Sequence, residues 1–103
     1  MRLAFRMQLF PGKASEYKQR HDALWPELAA LLREKGVRNY SIFLDERDGA
    51  LFGVLEIDDA LRLEELPEEP VMKKWWQYMK DIMESNADGS PVSVPLQDVF
   101  YLP

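Results

Sequence analysis

The sequence has no cysteine. That excludes disulfides and any zinc site built on thiolates. It suits a reducing cytosol, and a cytoplasmic location is the expectation. Histidine is scarce too: His21 is the only one. One imidazole among scattered carboxylates is not a ligand set, so no metal is expected. Basic clusters are missing, and the formal net charge is −5. A nucleic-acid binder would present a basic face, because phosphate neutralisation supplies most of its non-specific affinity. Nucleic acid is therefore not the expected partner. No apolar run approaches the length of a membrane span, so no membrane partner is expected. The opening "MRLAFRMQLF" is too short and too polar for a secretory signal. There is no glycine-rich phosphate loop and no nucleophile elbow, and Ser15, Ser41, Ser85, Ser90 and Ser93 have no triad context.

What is present is apolar residues in regular patterns. They make up 47% of the 103 residues, enough for a core and consistent with one domain over 1–103. In "RLAFRMQL" (2–9), Leu3, Phe5, Met7 and Leu9 alternate with Arg2, Arg6 and Gln8, the signature of a strand with one buried face. A helix is expected from Gly12 or Ser15 to about Lys35, stopped by Gly36. "VRNYSIFLD" (37–45) and "ALFGVLEI" (50–57) read as strands joined by the turn "DERDG", an antiparallel hairpin. The acidic stretch from Asp58 to about Leu66 reads as helical, broken by Pro67. Pro70 suits the first turn of another helix, which carries "VMKKWWQYMKDIM" (71–83). "LQDVFYL" (96–102) reads as a last strand. The order β-α-β-β-α-β is the ferredoxin-like α+β arrangement, with helices over one face of a four-stranded antiparallel sheet. The third strand is apolar on both faces, with Leu51, Leu55 and Ile57 on one and Phe52 and Val54 on the other. Its second face needs a cover that this chain lacks, and a second copy supplies one. A homodimer is expected.

At about 100° per residue, Tyr17, His21, Leu24, Trp25, Leu28, Leu31 and Leu32 fall within an arc of about 120°. His21 lies near its middle. Tyr17 is one turn before it and Trp25 one turn after. A core histidine that only hydrogen-bonds a neighbour is the bland alternative. Three features oppose it. Leu or Ile would pack there without a polar partner. Pro26 removes the N–H aimed at the Asp22 carbonyl, so the helix should bend or loosen just beyond His21 and open a gap over the sheet. "KWWQYM" brings Trp75, Trp76 and Tyr78 from another helix of the same layer, and one of the two indoles can pack while the other faces a cleft. A pocket of Trp, Tyr and His suits a sugar, whose C–H face stacks on indole while its hydroxyls bond phenol and imidazole. Asp22, Glu27, Asp81 and Glu84 are available carboxylates, best read as solvated helix charges.

These residues resemble one family. "EYKQRHDALWPEL", "NYSIFLD", "KWWQYMKDIM" and "SPVSVPLQDVFYLP" are similar to the L-rhamnose mutarotases, in the same order over essentially the whole chain. The segment "DDALRLEELPEEP" departs from the pattern in being richer in proline and acid. The resemblance implies a dimeric ferredoxin-like α/β barrel that interconverts the α and β anomers of L-rhamnose without a cofactor. It implies that His21 is the acid/base residue, that Tyr17 and Tyr40 contact the sugar, and that Trp75 and Trp76 are the family's tryptophan pair. The reaction needs only proton transfers, to which a group with a pKa near 6.5 is suited. Two other readings use the same architecture: a haem-binding or cofactor-free monooxygenase, and a non-catalytic dimeric domain whose aromatic stripe is all core.

Overall fold

The computed structural model describes residues 1–103. The elements are β1 (Arg2–Gln8), α1 (Ala14–Asp22), α2 (Pro26–Glu34), β2 (Arg38–Asp45), β3 (Ala50–Glu56), a 3₁₀ segment (Ala60–Glu68), α3 (Pro70–Met79) and β4 (Val94–Leu96). The strands form one antiparallel sheet in the order β2-β3-β1-β4. This is the expected ferredoxin-like α+β fold.

Register follows from the alternation in β1. Leu3 lies opposite Leu55, Phe5 opposite Gly53 and Met7 opposite Leu51. Across the other edge of β3, Ile42 pairs with Gly53 and Leu44 with Leu51. These side chains share the face beneath the helices, because the side-chain period along a strand is two. The main core joins Met7, Leu9 and Leu51 of the sheet to Tyr17, Leu28 and Leu31 and to Met72, Trp75, Met79, Ile82 and Met83. Each of the fully buried aliphatic side chains Leu28, Leu51 and Ile82 contributes about 1.5–3 kcal/mol. The hairpin turn closes as its residues dictate: the Asp45 carbonyl accepts from Gly49 N–H at 2.9 Å, and Gly49 sits at φ +77°, which glycine adopts at no steric cost.

Between Arg38 and Ser41 the register slips by one residue. Asn39, at φ 50°, takes up the slip and anchors it with a 2.6 Å bond to Glu56. The bulge turns Arg38 to the outer face, where it pairs with Asp58 at 2.9 Å, and leaves Tyr40 on the helix face with Ile42 and Leu44.

Four expectations are corrected. The long helix to Lys35 is two helices. Trp25 is extended (φ −61°, ψ 130°) and caps α2, with Pro26 in its first turn. Proline disfavours the helical conformation of the residue before it, so the chain breaks rather than bends. Neither Gly12 nor Ser15 caps α1; Lys13 does, without a side-chain bond. The acidic stretch is 3₁₀ and runs on through Pro67 to Glu68. The last strand covers only Val94–Leu96, and 97–103 extends beyond it with Val99, Phe100 and Leu102 exposed. Arg2 lies against that tail, its guanidinium 3.8 Å from the Tyr101 ring centre.

Candidate active site

The gap between helices and sheet is a cavity of about 1110 Å³, open on one side, and Tyr17, His21, Tyr40, Trp75 and Trp76 all line it. That volume lies just above the usual range for small-molecule sites, about 300–1,000 Å³. Its floor is Phe5, Met7, Ile42 and Leu44 of the sheet, and Leu63 and Leu66 of the 3₁₀ segment reach its rim. Lys35 ties that segment to the end of α2 through Glu65 at 2.6 Å and Glu69 at 3.4 Å.

Tyr17 and His21 follow one another on α1 at i, i+4 and stack, with ring centres 4.2 Å apart. His21 Nδ1 stands 3.0 Å from the Tyr17 carbonyl oxygen. That oxygen can only accept, so Nδ1 is the protonated nitrogen of the neutral ring and Nε2 keeps its lone pair. The edge of Trp75 meets the imidazole at 5.4 Å. Burial lowers the His21 pKa, opposed by the Tyr17 carbonyl and more weakly by Asp22. Asp22 is itself paired with Lys18 at 2.9 Å. The Tyr17 phenol is pushed well above its ordinary range by burial and, secondarily, by the nearby Tyr40. Tyr40 is pushed up to about 12 by burial. At neutral pH the pocket therefore presents a neutral imidazole and two intact phenols.

The tryptophans divide as expected. Trp75 is in the core, 5% exposed, and Trp76 is half-buried against it, both at the cavity wall. Trp25 departs from its expected place beside His21. With α1 and α2 separated, its partners are Trp75 (5.0 Å, edge-on) and Tyr78 (5.6 Å, stacked). Of the four carboxylates, Asp81 is solvated as expected but also paired: it binds Arg20 at 2.9 Å, and that bond lowers its pKa.

Two features went unread in the sequence. Gly53 lies against the Phe5 ring, where a Cβ would collide, and Tyr40 leans on the same ring at 6.1 Å. A lone glycine inside an apolar strand is a signal for such close approach. The Arg20–Asp81 bond joins residues 61 apart in the chain, and no local pattern announces it.

A ferredoxin-like sheet with one imidazole, two phenols and an indole wall over an open cavity suits one class: an enzyme that moves protons on a small, partly apolar polyol. Residues 2–102 match the family model described as L-rhamnose mutarotase. A curated L-rhamnose mutarotase from Rhizobium meliloti is 60% identical over 99 residues, covering 96% of this chain and 95% of that one. The crystal structure of an L-rhamnose mutarotase from Formosa agariphila superposes with a TM-score of 0.93 at 48% identity, covering 100% of this chain and 99% of that one. The chain belongs to the L-rhamnose mutarotase family and is an isomerase of that type. An antibiotic biosynthesis monooxygenase is also similar, with a TM-score of 0.51 at 14% identity over 95% of this chain and 97% of that one; that likeness concerns the fold alone.

Proposed function

We propose that this protein interconverts the α and β anomers of L-rhamnose, with His21 as the acid/base group, Tyr17 and Tyr40 bonded to the sugar's oxygens, and the Trp75–Trp76 wall against its apolar face. The observation that carries the residue assignment is the 3.0 Å contact between Nδ1 and the Tyr17 carbonyl, which leaves Nε2 as the acceptor in the neutral ring. Nε2 takes the anomeric hydroxyl proton as the C1–ring oxygen bond breaks, and the phenol of Tyr17 or Tyr40 gives its proton to the ring oxygen. The open aldehyde turns about C1–C2, and closure on the other carbonyl face reverses the transfers. Intact phenols are donors to the oxygens that gain charge. General acid–base help contributes about 10²–10⁴-fold, sufficient for a reaction that already runs in water. The test is NMR exchange between the anomeric proton signals of L-rhamnose with and without enzyme. Exchange no faster than in buffer removes the assignment.

We also infer a homodimer formed through the outer sheet face. Phe43 (62% exposed), Val94 (51%) and Leu96 (40%) lie on that face, and the tail continues from it with Val99, Phe100 and Leu102. Large apolar side chains exposed on one sheet face mark an interface. Sedimentation at micromolar concentration should give twice the 12.1 kDa chain mass; a clean monomer rules the interface out.

A further inference from the structure

We propose that Arg20 is a positioning residue: it reaches from the histidine helix to the tryptophan helix and fixes the imidazole against the aromatic wall. The inference rests on the mutarotase reading above and adds to it a residue that touches neither sugar nor reacting atoms.

The observation behind it is how little else holds α1. Of its nine residues only Tyr17 is buried. Below α1 is the cavity, so the helix lacks the packed floor that normally seats an amphipathic helix. At its C-terminal end the chain breaks at Ala23–Trp25, so α2 does not extend it. A polar link therefore carries the alignment.

Arg20 supplies that link. Its side chain is only 10% exposed. Nε bonds Glu16 on the same helix at 2.8 Å, which restrains the side chain. Nη1 donates to the Tyr78 carbonyl at 2.6 Å and to Asp81 Oδ1 at 2.9 Å, and Nη2 donates to Asp81 Oδ2 at 3.2 Å. The guanidinium also lies 4.4 Å from the Tyr78 ring centre. A planar fork can satisfy a carboxylate, a carbonyl and a ring face at once; a lysine cannot. Tyr78 in turn touches Trp75 at 5.6 Å, and Trp75 meets His21. Arg20 and His21 are adjacent in the chain and point to different sides of α1, so one residue docks the helix while the next faces the cavity. Displacement of a reacting group by about 1 Å can cost 100-fold in rate.

The single histidine makes the test clean, because its imidazole C–H signals in the NMR spectrum are unambiguous. Arg20→Gln, Arg20→Lys and Asp81→Asn are compared with the wild-type protein by His21 titration and by L-rhamnose anomer exchange. Expected are a His21 midpoint that moves up toward the ordinary imidazole value in Arg20→Gln, as the loosened helix admits water, and a saturated exchange rate about tenfold to 100-fold lower. Asp81→Asn should move both in the same direction by less, and Arg20→Lys should recover part of both. Folded Arg20→Gln and Asp81→Asn proteins with the wild-type midpoint and rate overturn the proposal. If Arg20→Gln does not fold, Asp81→Asn decides, since Asp81 is 65% exposed and its loss strands no buried carboxylate. If the wild-type protein fails to speed exchange, the mutarotase reading falls, and the His21 titration still judges the role of Arg20.

Discussion

The two helices that carry the candidate site are held in opposite ways. α3 buries Met72, Trp75 and Met79 in the main core, whereas α1 buries Tyr17 alone and is docked by the polar reach of Arg20. The tryptophan wall is therefore part of what folds the protein, and the imidazole is mounted on an element that folding energy holds lightly. Recognition by stacking tolerates a rigid wall. Proton transfer needs a free lone pair held within hydrogen-bond reach of the sugar, which an imidazole facing the cavity supplies. If this contrast is right, substitutions on α1 should change rate more than stability, and substitutions on α3 should do the reverse.

The largest effect on rate should come from His21→Asn, which keeps a polar side chain of similar reach but no base. Anomer exchange should fall toward the spontaneous rate, a loss of about 10²–10⁴-fold, while the denaturant midpoint moves little and L-rhamnose still quenches or enhances tryptophan fluorescence. A folded His21→Asn protein that exchanges anomers at the wild-type rate would transfer the proton work to a tyrosine.

Trp75→Ala should show the reverse balance. Removing a core indole costs about 3–5 kcal/mol, read as a lower urea midpoint at unchanged slope. Trp76, half-buried beside it, should cost less stability when replaced by alanine and more sugar affinity. Equal stability losses for Trp75→Ala and His21→Asn would abolish the distinction between the helices.

How much of this was legible in the sequence follows from the range of the interactions. The strands, their hairpin and the facing of Leu3, Phe5 and Met7 are period-two patterns and stand in the local sequence. So does the grouping of Tyr17 and His21, which depends on i, i+4 spacing alone. The break at Trp25 was within reach, because Pro26 restricts the residue before it; the apolar stripe running through Leu28 and Leu32 made the helix look continuous. The 3₁₀ segment is fixed from outside by Lys35, and the shortness of β4 is set by where pairing with β1 ends, between Ala4 and Leu96 and between Arg6 and Val94. Both are tertiary facts. The Arg20–Asp81 link is tertiary as well, which is why the local sequence gives Asp81 no partner.

Beneath both helices, Gly53 provides a smaller test of the cavity floor. Gly53→Ala would place a methyl group in the Phe5 ring. Phe5 must then rise into the cavity and carry Tyr40 with it. Overpacking of this sort costs about 1–3 kcal/mol, and sugar affinity should fall with it. An alanine protein of unchanged stability and affinity would mean that the floor yields and that Tyr40 does not depend on it.

The pH dependence should be the smallest effect near neutrality, and its direction separates the two helices once more. Burial lowers the pKa of His21, and the edge of Trp75 from α3 is part of what covers the ring. The neutral imidazole is the working form, so the exchange rate should be flat down through the ordinary imidazole pKa of about 6.5 and fall only as pH drops through the depressed value. Stability follows the same sign: below about 6.5 the unfolded chain takes up the histidine proton more readily than the folded one, so folding weakens as pH falls from there to the folded-state pKa. Trp75→Ala, if folded, should uncover the ring and raise the midpoint of the rate profile, whereas Trp25→Ala, whose ring meets Trp75 and Tyr78 instead, should leave it in place. A wild-type midpoint above the ordinary value would mean that charge, not burial, dominates at His21, and the imidazole would then start the reaction as the acid.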